Sequence, residues 1–271
     1  MKQILLTTNT FSSYKRQDLA IQKMHLLQNK NANVRCALIQ FEDEQTSYED
    51  YPIDKLRVLK RSSKSDLKVS KQLPYIKDLF DVSSDYSDEI FVFSNSDIIL
   101  SQKLINYINN NDIEAVGISR IDISPIEDLT QSSTIIRMEP AGFDTWVVNK
   151  KWWTKHSKLF PDMLLGRPEF DVVYTALMDL NSKNIHISTE HLTYHPMHEI
   201  VSFTKDECYH HNIKFKENQY KKLFDWWGNI CNRTYLSRPD WGSFLKFLPD
   251  EKEIISNIIK EHKASLSEFT L

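Results

Sequence analysis

Along the first 120 positions, apolar residues switch repeatedly between continuous runs and helical spacing. "QILLTT" is a short apolar run that ends in the polar cluster Thr7-Thr8-Asn9. In "KRQDLAIQKMHLLQ", Leu19, Ile21, Met24, Leu26 and Leu27 recur at roughly helical intervals, which predicts a helix. "VRCALIQFE" and "KLRVLKR" read as the second and third strands, and the Ser/Lys-rich "RSSKSDLKVSK" reads as a loop. "LPYIKDLFDVSS" predicts a helix with Leu73, Ile76, Leu79 and Phe80 inward. "EIFVFSN" is apolar on both faces, as a strand covered on both sides by helices must be. "SQKLINYINNN" is helical and "AVGISRI" is a strand.

This alternation predicts an α/β architecture with a largely parallel sheet flanked by helices. In such sheets ligands bind outside the carboxyl ends of the strands. Thr7, Thr8, Asn9, Arg61 and the Asn95-Ser96-Asp97 turn each follow a predicted strand, so one rim would gather them.

Beyond about residue 120 the pattern changes. "TIIRMEPAGFDTWVVNKKWW" reads as β-rich, "GRPEFDVVYTALMDLN" opens a helix, and "NIHIS" is a short strand before "TEHLTYHPMHE". The last 65 or so residues are aromatic and basic and end in the helical "EKEIISNIIKEHKASL". Residues 1–205 are expected to form the α/β domain, and 206–271 a helical C-terminal extension packed on it.

Composition narrows the function. A net charge of −3 offers no electrostatic footing for nucleic acid. With only 5 glycines there is neither a Gly-rich phosphate loop nor a dinucleotide fingerprint. The cysteines, Cys36, Cys208 and Cys231, are too few and too scattered for a disulfide framework or a CxxC metal site, which points to a reducing, cytoplasmic setting. The start of the chain lacks a signal-peptide pattern, and no apolar run reaches the ~18 residues of a transmembrane span. Peripheral contact with a membrane surface through the aromatic-basic tail stays open.

Four clusters carry chemistry. Asn95 and Asp97 at a strand end place oxygen ligands where a hard cation and a phosphate would sit, although Asp97 or Ser101 would equally serve as a helix cap. In "GRPEFD", Arg167 offers a planar fork of donors for a diphosphate, and Glu169 or Asp171 offers a general base at a helix start. The same segment also reads as a turn with Pro168 in the first helical turn and Asp171 in a capping role. "HLTYHPMHE" concentrates His191, His195, His198 and Glu199, at a spacing that matches no structural zinc site. Asp144, after Gly142, would orient a sugar hydroxyl or a loop.

Taken in order, "LPYIKDLFD", "DEIFVFSNSDIIL", "GISRIDI", "AGFDTWVVNKKWW", "LLGRPEFDVVYTALM" and "HPMHE" resemble the nucleotide-diphospho-sugar transferase-like group of GT-A-type glycosyltransferases. The likeness covers roughly residues 70 to 200, with a weaker match at the first strand. It implies a GT-A-like (Rossmann-like) fold with a mixed, mostly parallel sheet. It implies transfer of a sugar from a nucleotide-sugar donor to a glycan or lipid-linked glycan acceptor, in surface glycan synthesis. Asn95 and Asp97 would stand at the Asp-x-Asp motif that grips Mn²⁺ or Mg²⁺, with Asn95 replacing the first acid. His198 or His195 would complete the metal shell, and Glu169 or Asp171 would be the catalytic base. Asp144 would lie in a sugar pocket, with Thr7, Thr8, Asn9 and Arg61 along the nucleotide. Inversion or retention at the anomeric carbon stays undecided.

Two other classes compete. A sugar nucleotidyltransferase would use a similar sheet but needs the Gly-rich loop that is missing after "QILLTT". A non-catalytic glycan- or partner-binding module is favoured by Asn95 in place of an acid.

Overall fold

A computed structural model describes residues 1–10, 15–44, 48, 51–186, 190–198, 205–231 and 251–271. Glu199 and Trp241, and with Trp241 the middle of the aromatic tail, lie outside these residues. The elements are β1 (Ile4–Asn9), α1 (Lys15–Lys30), β2 (Val34–Phe41), β3 (Asp54–Leu59), α2 (Ser63–Asp66), α3 (Ile76–Tyr86), β4 (Ile90–Ser94), β5 (Ile99–Leu100) and α4 (Gln102–Asn110). They continue with β6 (Ala115–Ile123), β7 (Ile135–Asn149), α5 (Lys150–His156), α6 (Phe170–Asn181), β8 (Thr193–Pro196), α7 (Glu207–Lys214), α8 (Lys221–Cys231) and α9 (Glu251–His262).

The strands form one sheet in the order β3-β2-β1-β4-β7-β6-β8-β5. β1 pairs in parallel with both β2 and β4, and β2 in parallel with β3. β7 is antiparallel to both β4 and β6, and β8 runs parallel to β6. The sheet is therefore mixed and mostly parallel, and helices flank it. Because β7 is reversed, it enters the sheet from the rim at which β1, β4, β6 and β8 have their carboxyl ends.

Alternation along β4 explains the two-layered core. Phe91 and Phe93 point into a cluster with Phe80, Trp146, Trp153 and Tyr174 under α3, α5 and α6. Ile90 and Val92 face the opposite cluster, with Met24 of α1 and Leu104 and Ile108 of α4. A continuous apolar strand is what such double coverage requires. In the C-terminal part, Leu223, Trp226, Trp227, Ile258, Leu266 and Phe269 join the first cluster, so α8, α9 and the last turn lie against the α6 side of the sheet.

Local readings fail at three places. "KKWW" is helical rather than extended, because the Asn149 side chain accepts from the amides of Lys151 and Trp152 and starts α5. The expected loop after β3 holds a one-turn helix, α2, closed by a capping box between Ser62 and Ser65. In "NIHIS", residues 184–186 form no strand, and 187–188 lie outside the described residues. There the His186 amide and imidazole bind the Asp179 carboxylate, which turns the chain back onto α6.

Candidate functional site

β4 ends at Ser94, and the chain leaves the sheet through a tight turn at Asn95–Asp97. The turn is pinned to β7, with the Asn95 amide donating to the Asp144 carbonyl at 2.8 Å and the Asn95 side-chain amide to the Asp144 carboxylate. Ser101, not Asp97, caps α4, since its hydroxyl accepts from the Leu104 amide. The Asp97 carboxylate faces the rim instead. Across the rim, β8 carries His195, and His198 follows it. His195 Nε2 lies 3.6 Å from Asp97 Oδ2, and His198 Nε2 lies 3.8 Å from the same oxygen. All three ligand atoms fall within 4.8 Å of one another. Ligands bound at about 2.1 Å to one cation stand about 3–4 Å apart, so this Asp/His/His set fits a divalent ion. Asn95 Oδ1, buried two residues before Asp97, has no hydrogen-bond partner among the described residues and is a further unclaimed oxygen.

His195 is held from behind. Its Nδ1 lies 2.9 Å from Oδ1 of Asp122, a fully buried carboxylate at the end of β6. Asp122 also accepts from Arg120 Nε at 3.0 Å and Arg137 Nε at 2.6 Å. Burial alone would raise the Asp122 carboxyl. The hydrogen bonds from His195 and Arg137 and the charge of Arg120 hold it far below the usual carboxylate range. Burial likewise works to lower His195, but its bonds to Asp122 and Asp97 push it up to about 9. Arg120 spans the site, its other nitrogen donating to Asp144.

Asp171 sits in the first turn of α6, half-buried. Burial and then the Asp144 carboxylate push its carboxyl up to about 7, against a stabilising bond from the Val172 amide. Near 7 a carboxyl group can take and release a proton at physiological pH. Glu169, at the N-cap of α6, adopts a left-handed backbone with φ 78° and pairs with Lys216 Nζ at 2.7 Å. Lys216 itself lies over the Phe224 ring. The two acids proposed as base therefore differ: one is neutralised by a lysine, and the other is surrounded mainly by carboxylates.

The remaining residues expected at the site are distributed unequally. Thr8 and Asn9 are buried at the end of β1, and neither the Thr8 hydroxyl nor either atom of the Asn9 amide has a hydrogen-bond partner among the described residues. Thr7 lies deeper, bonded to Ser83 and to the Val92 carbonyl. Arg61 is clamped by Asp78 and Asp162 and stacks over Tyr75. Arg167 is nearly buried, with its donors on Asp206 and the Gly166 carbonyl. Both guanidinium groups thus tie loops to the frame. His191 faces the Tyr194 ring. Arg120, Asp122 and Arg137 escaped the reading of the sequence, yet "SRIDI" carried a signal. Two charged residues spaced by two at the end of an apolar strand share one face.

No helix among the described residues is long and apolar enough to cross a membrane. No family model matches the chain, and no curated protein matches it. Among solved structures, residues 1–349 of S. aureus TarS in complex with UDP-GlcNAc match at 10% identity and TM-score 0.52, over 97% of this chain and 73% of that one. A longer S. aureus TarS structure matches at 10% identity and TM-score 0.48, over 97% of this chain and 43% of that one, so the chain spans less than half its length. The mannosyltransferase PcManGT from Pyrobaculum calidifontis, in complex with GDP-Man and Mn²⁺, matches at 10% identity and TM-score 0.44, over 96% and 69% of the two chains. The mixed, mostly parallel sheet and the likeness to the UDP-GlcNAc complex of TarS together show that this chain has a GT-A-type, nucleotide-sugar glycosyltransferase-like fold.

Proposed function

We propose that the protein is a glycosyltransferase that moves a sugar from a nucleotide-diphosphate donor to a hydroxyl of a glycan or lipid-linked glycan, as surface glycan synthesis requires. One observation carries this reading: Asp97, His195 and His198 converge at the carboxyl rim of the sheet, the side on which open α/β sheets bind their ligands. The donor set suits Mn²⁺ better than Mg²⁺, because imidazole nitrogen provides two of its three ligands. Asp97, His195 and His198 would hold such a cation, which would supply positive charge to offset that of the departing diphosphate. Thr8 and Asn9, buried and unpartnered at the end of β1, offer hydrogen bonds to the nucleotide. Asp144, already fixed by Asn95 and Arg120, orients the sugar side of the pocket. Asp171 takes the proton of the acceptor hydroxyl, a role that its raised affinity for protons suits. Glu169 is the weaker choice, since Lys216 already compensates its charge.

The test is a panel of nucleotide sugars, each with and without Mn²⁺, followed by melting temperature and nucleotide release. A donor that shifts melting only with Mn²⁺, and a shift lost in Asp97→Ala, is the expected result. No shift and no release with any donor would sink the transferase reading and leave a binding module. The anomeric configuration of the product, read by NMR, then decides between inversion and retention.

A further inference from the structure

The carboxylate of Asp122 is fully buried yet takes no part in the chemistry just described. We infer that Asp122 is a positioning residue for the cation site, fixing the His195 ring so that Nε2 presents its lone pair beside Asp97. The inference rests on the proposed function, since it assigns a role toward the ion that Asp97, His195 and His198 would hold.

Register in the sheet puts Asp122 in the right place. It is the cross-strand partner of His195 on β8 and of Arg137 on β7, so all three share one row across the rim. The contact with His195 runs through Nδ1, at 2.9 Å. An ionised carboxylate can only accept there, so Nδ1 keeps its proton and Nε2 is the nitrogen that gives up its own to a cation. Nε2 is the atom that faces Asp97 at 3.6 Å. A neutral imidazole without this partner would be free to present either nitrogen.

The wider network shows why the carboxylate is charged and immobile. Arg120 and Arg137 bind its two oxygens, one each, and together with His195 they compensate a group from which water is excluded. A buried carboxylate held by ion pairs is a poor source of stability compared with apolar packing, so a role in geometry is the better account of it. Arg120 also extends the frame. It donates to Asp144, Asp144 receives the side-chain amide of Asn95, and Asn95 begins the turn that bears Asp97. Asp122 therefore sits at one end of a hydrogen-bonded chain that aligns the ligand on the β4 turn with the ligand on β8.

The experiment uses the full chain without donor. Mn²⁺ binding is measured by electron paramagnetic resonance for the wild type and for Asp122→Asn, which keeps the size of the side chain and removes its charge. A loss of about 10- to 100-fold in affinity is expected, and at saturating Mn²⁺ the spectrum should return to that of the wild-type complex, as an altered ligand but not a damaged fold would allow. If Asp122→Asn does not fold, ¹⁵N NMR of the wild type loaded with Zn²⁺ answers instead, by showing whether His195 keeps its proton on Nδ1. Affinity within about threefold of wild type, or a proton on Nε2, overturns the role of Asp122 while leaving the proposed function intact. A wild type that binds no Mn²⁺ at millimolar concentration overturns the cation site, and this inference with it.

Discussion

Replacing Asp171 with asparagine tests the proposed base through two properties that should move in opposite directions. The folded protein holds the Asp171 proton more tightly than the unfolded chain, since burial and Asp144 push its carboxyl from the ordinary 3.8 up to about 7. The stability linked to this proton is complete below about pH 4 and is lost as pH rises through about 7. At about 1.4 kcal/mol per tenfold change, the loss reaches about 4 kcal/mol at most. Asp171 is only half-buried, so solvent screening leaves about 2 kcal/mol as the expected size. Asp171→Asn removes the titration. At pH 8 it should therefore melt about 4–8 °C above the wild type, and near pH 4 at almost the same temperature. Transfer should meanwhile fall by about 10²–10⁴-fold, the usual contribution of a general base. In the wild type, kcat/KM should decline below about pH 7, because only the ionised carboxylate can accept a proton. Thermal melts at the two pH values and initial rates across pH 5–9 provide the measurements. A variant that is less stable at pH 8 would refute the electrostatic argument. One that is more stable yet keeps transfer within about threefold would refute the assignment of the base.

Glu169→Gln is expected to keep transfer within about threefold, because Lys216 already neutralises that acid; a loss as deep as that of Asp171→Asn in single-turnover assays would move the base to Glu169. Chelation should lower the melting temperature, and added Mn²⁺ at about 100 times its Kd should restore about 2.7 kcal/mol, an effect absent in His198→Ala. Gly117→Ala should cost about 1–3 kcal/mol in urea denaturation. Its new methyl would lie 2.6 Å from Thr175 Oγ1 and push α6, which carries Asp171, away from β6. An unchanged midpoint would show that this contact yields easily. Phe80→Ala should cost about 3–5 kcal/mol. Its ring lies 5.0–5.8 Å, centre to centre, from five other aromatic rings, and a smaller loss would mean that α3 collapses into the space.

Much of the fold was legible locally. The apolar run at residues 90–93 demanded a strand covered on both sides, and the spacing of Ile76, Leu79 and Phe80 demanded a helix that covers it. Capping was harder to read, because one Asn149 side chain starts α5 at "KKWW", where the β-rich stretch was expected to continue. A two-residue strand such as β5 has no periodicity at all, and only its pairing with β8 defines it.

At the site, the sequence determined the chemical inventory: a carboxylate after a buried strand, two histidines around a proline, and two acids at a helix start. These follow from residue identity and from neighbours a few positions away. Which of them meet was decided by tertiary structure alone. Asp97 reaches His195 because β8 inserts beside β6 in a register that also delivers Asp122, while Arg61 and Arg167, equally suggestive in sequence, are taken by carboxylates from distant segments. Register and ion pairing arise from packing between elements far apart in the chain, and a local pattern carries no information about a partner one hundred residues away.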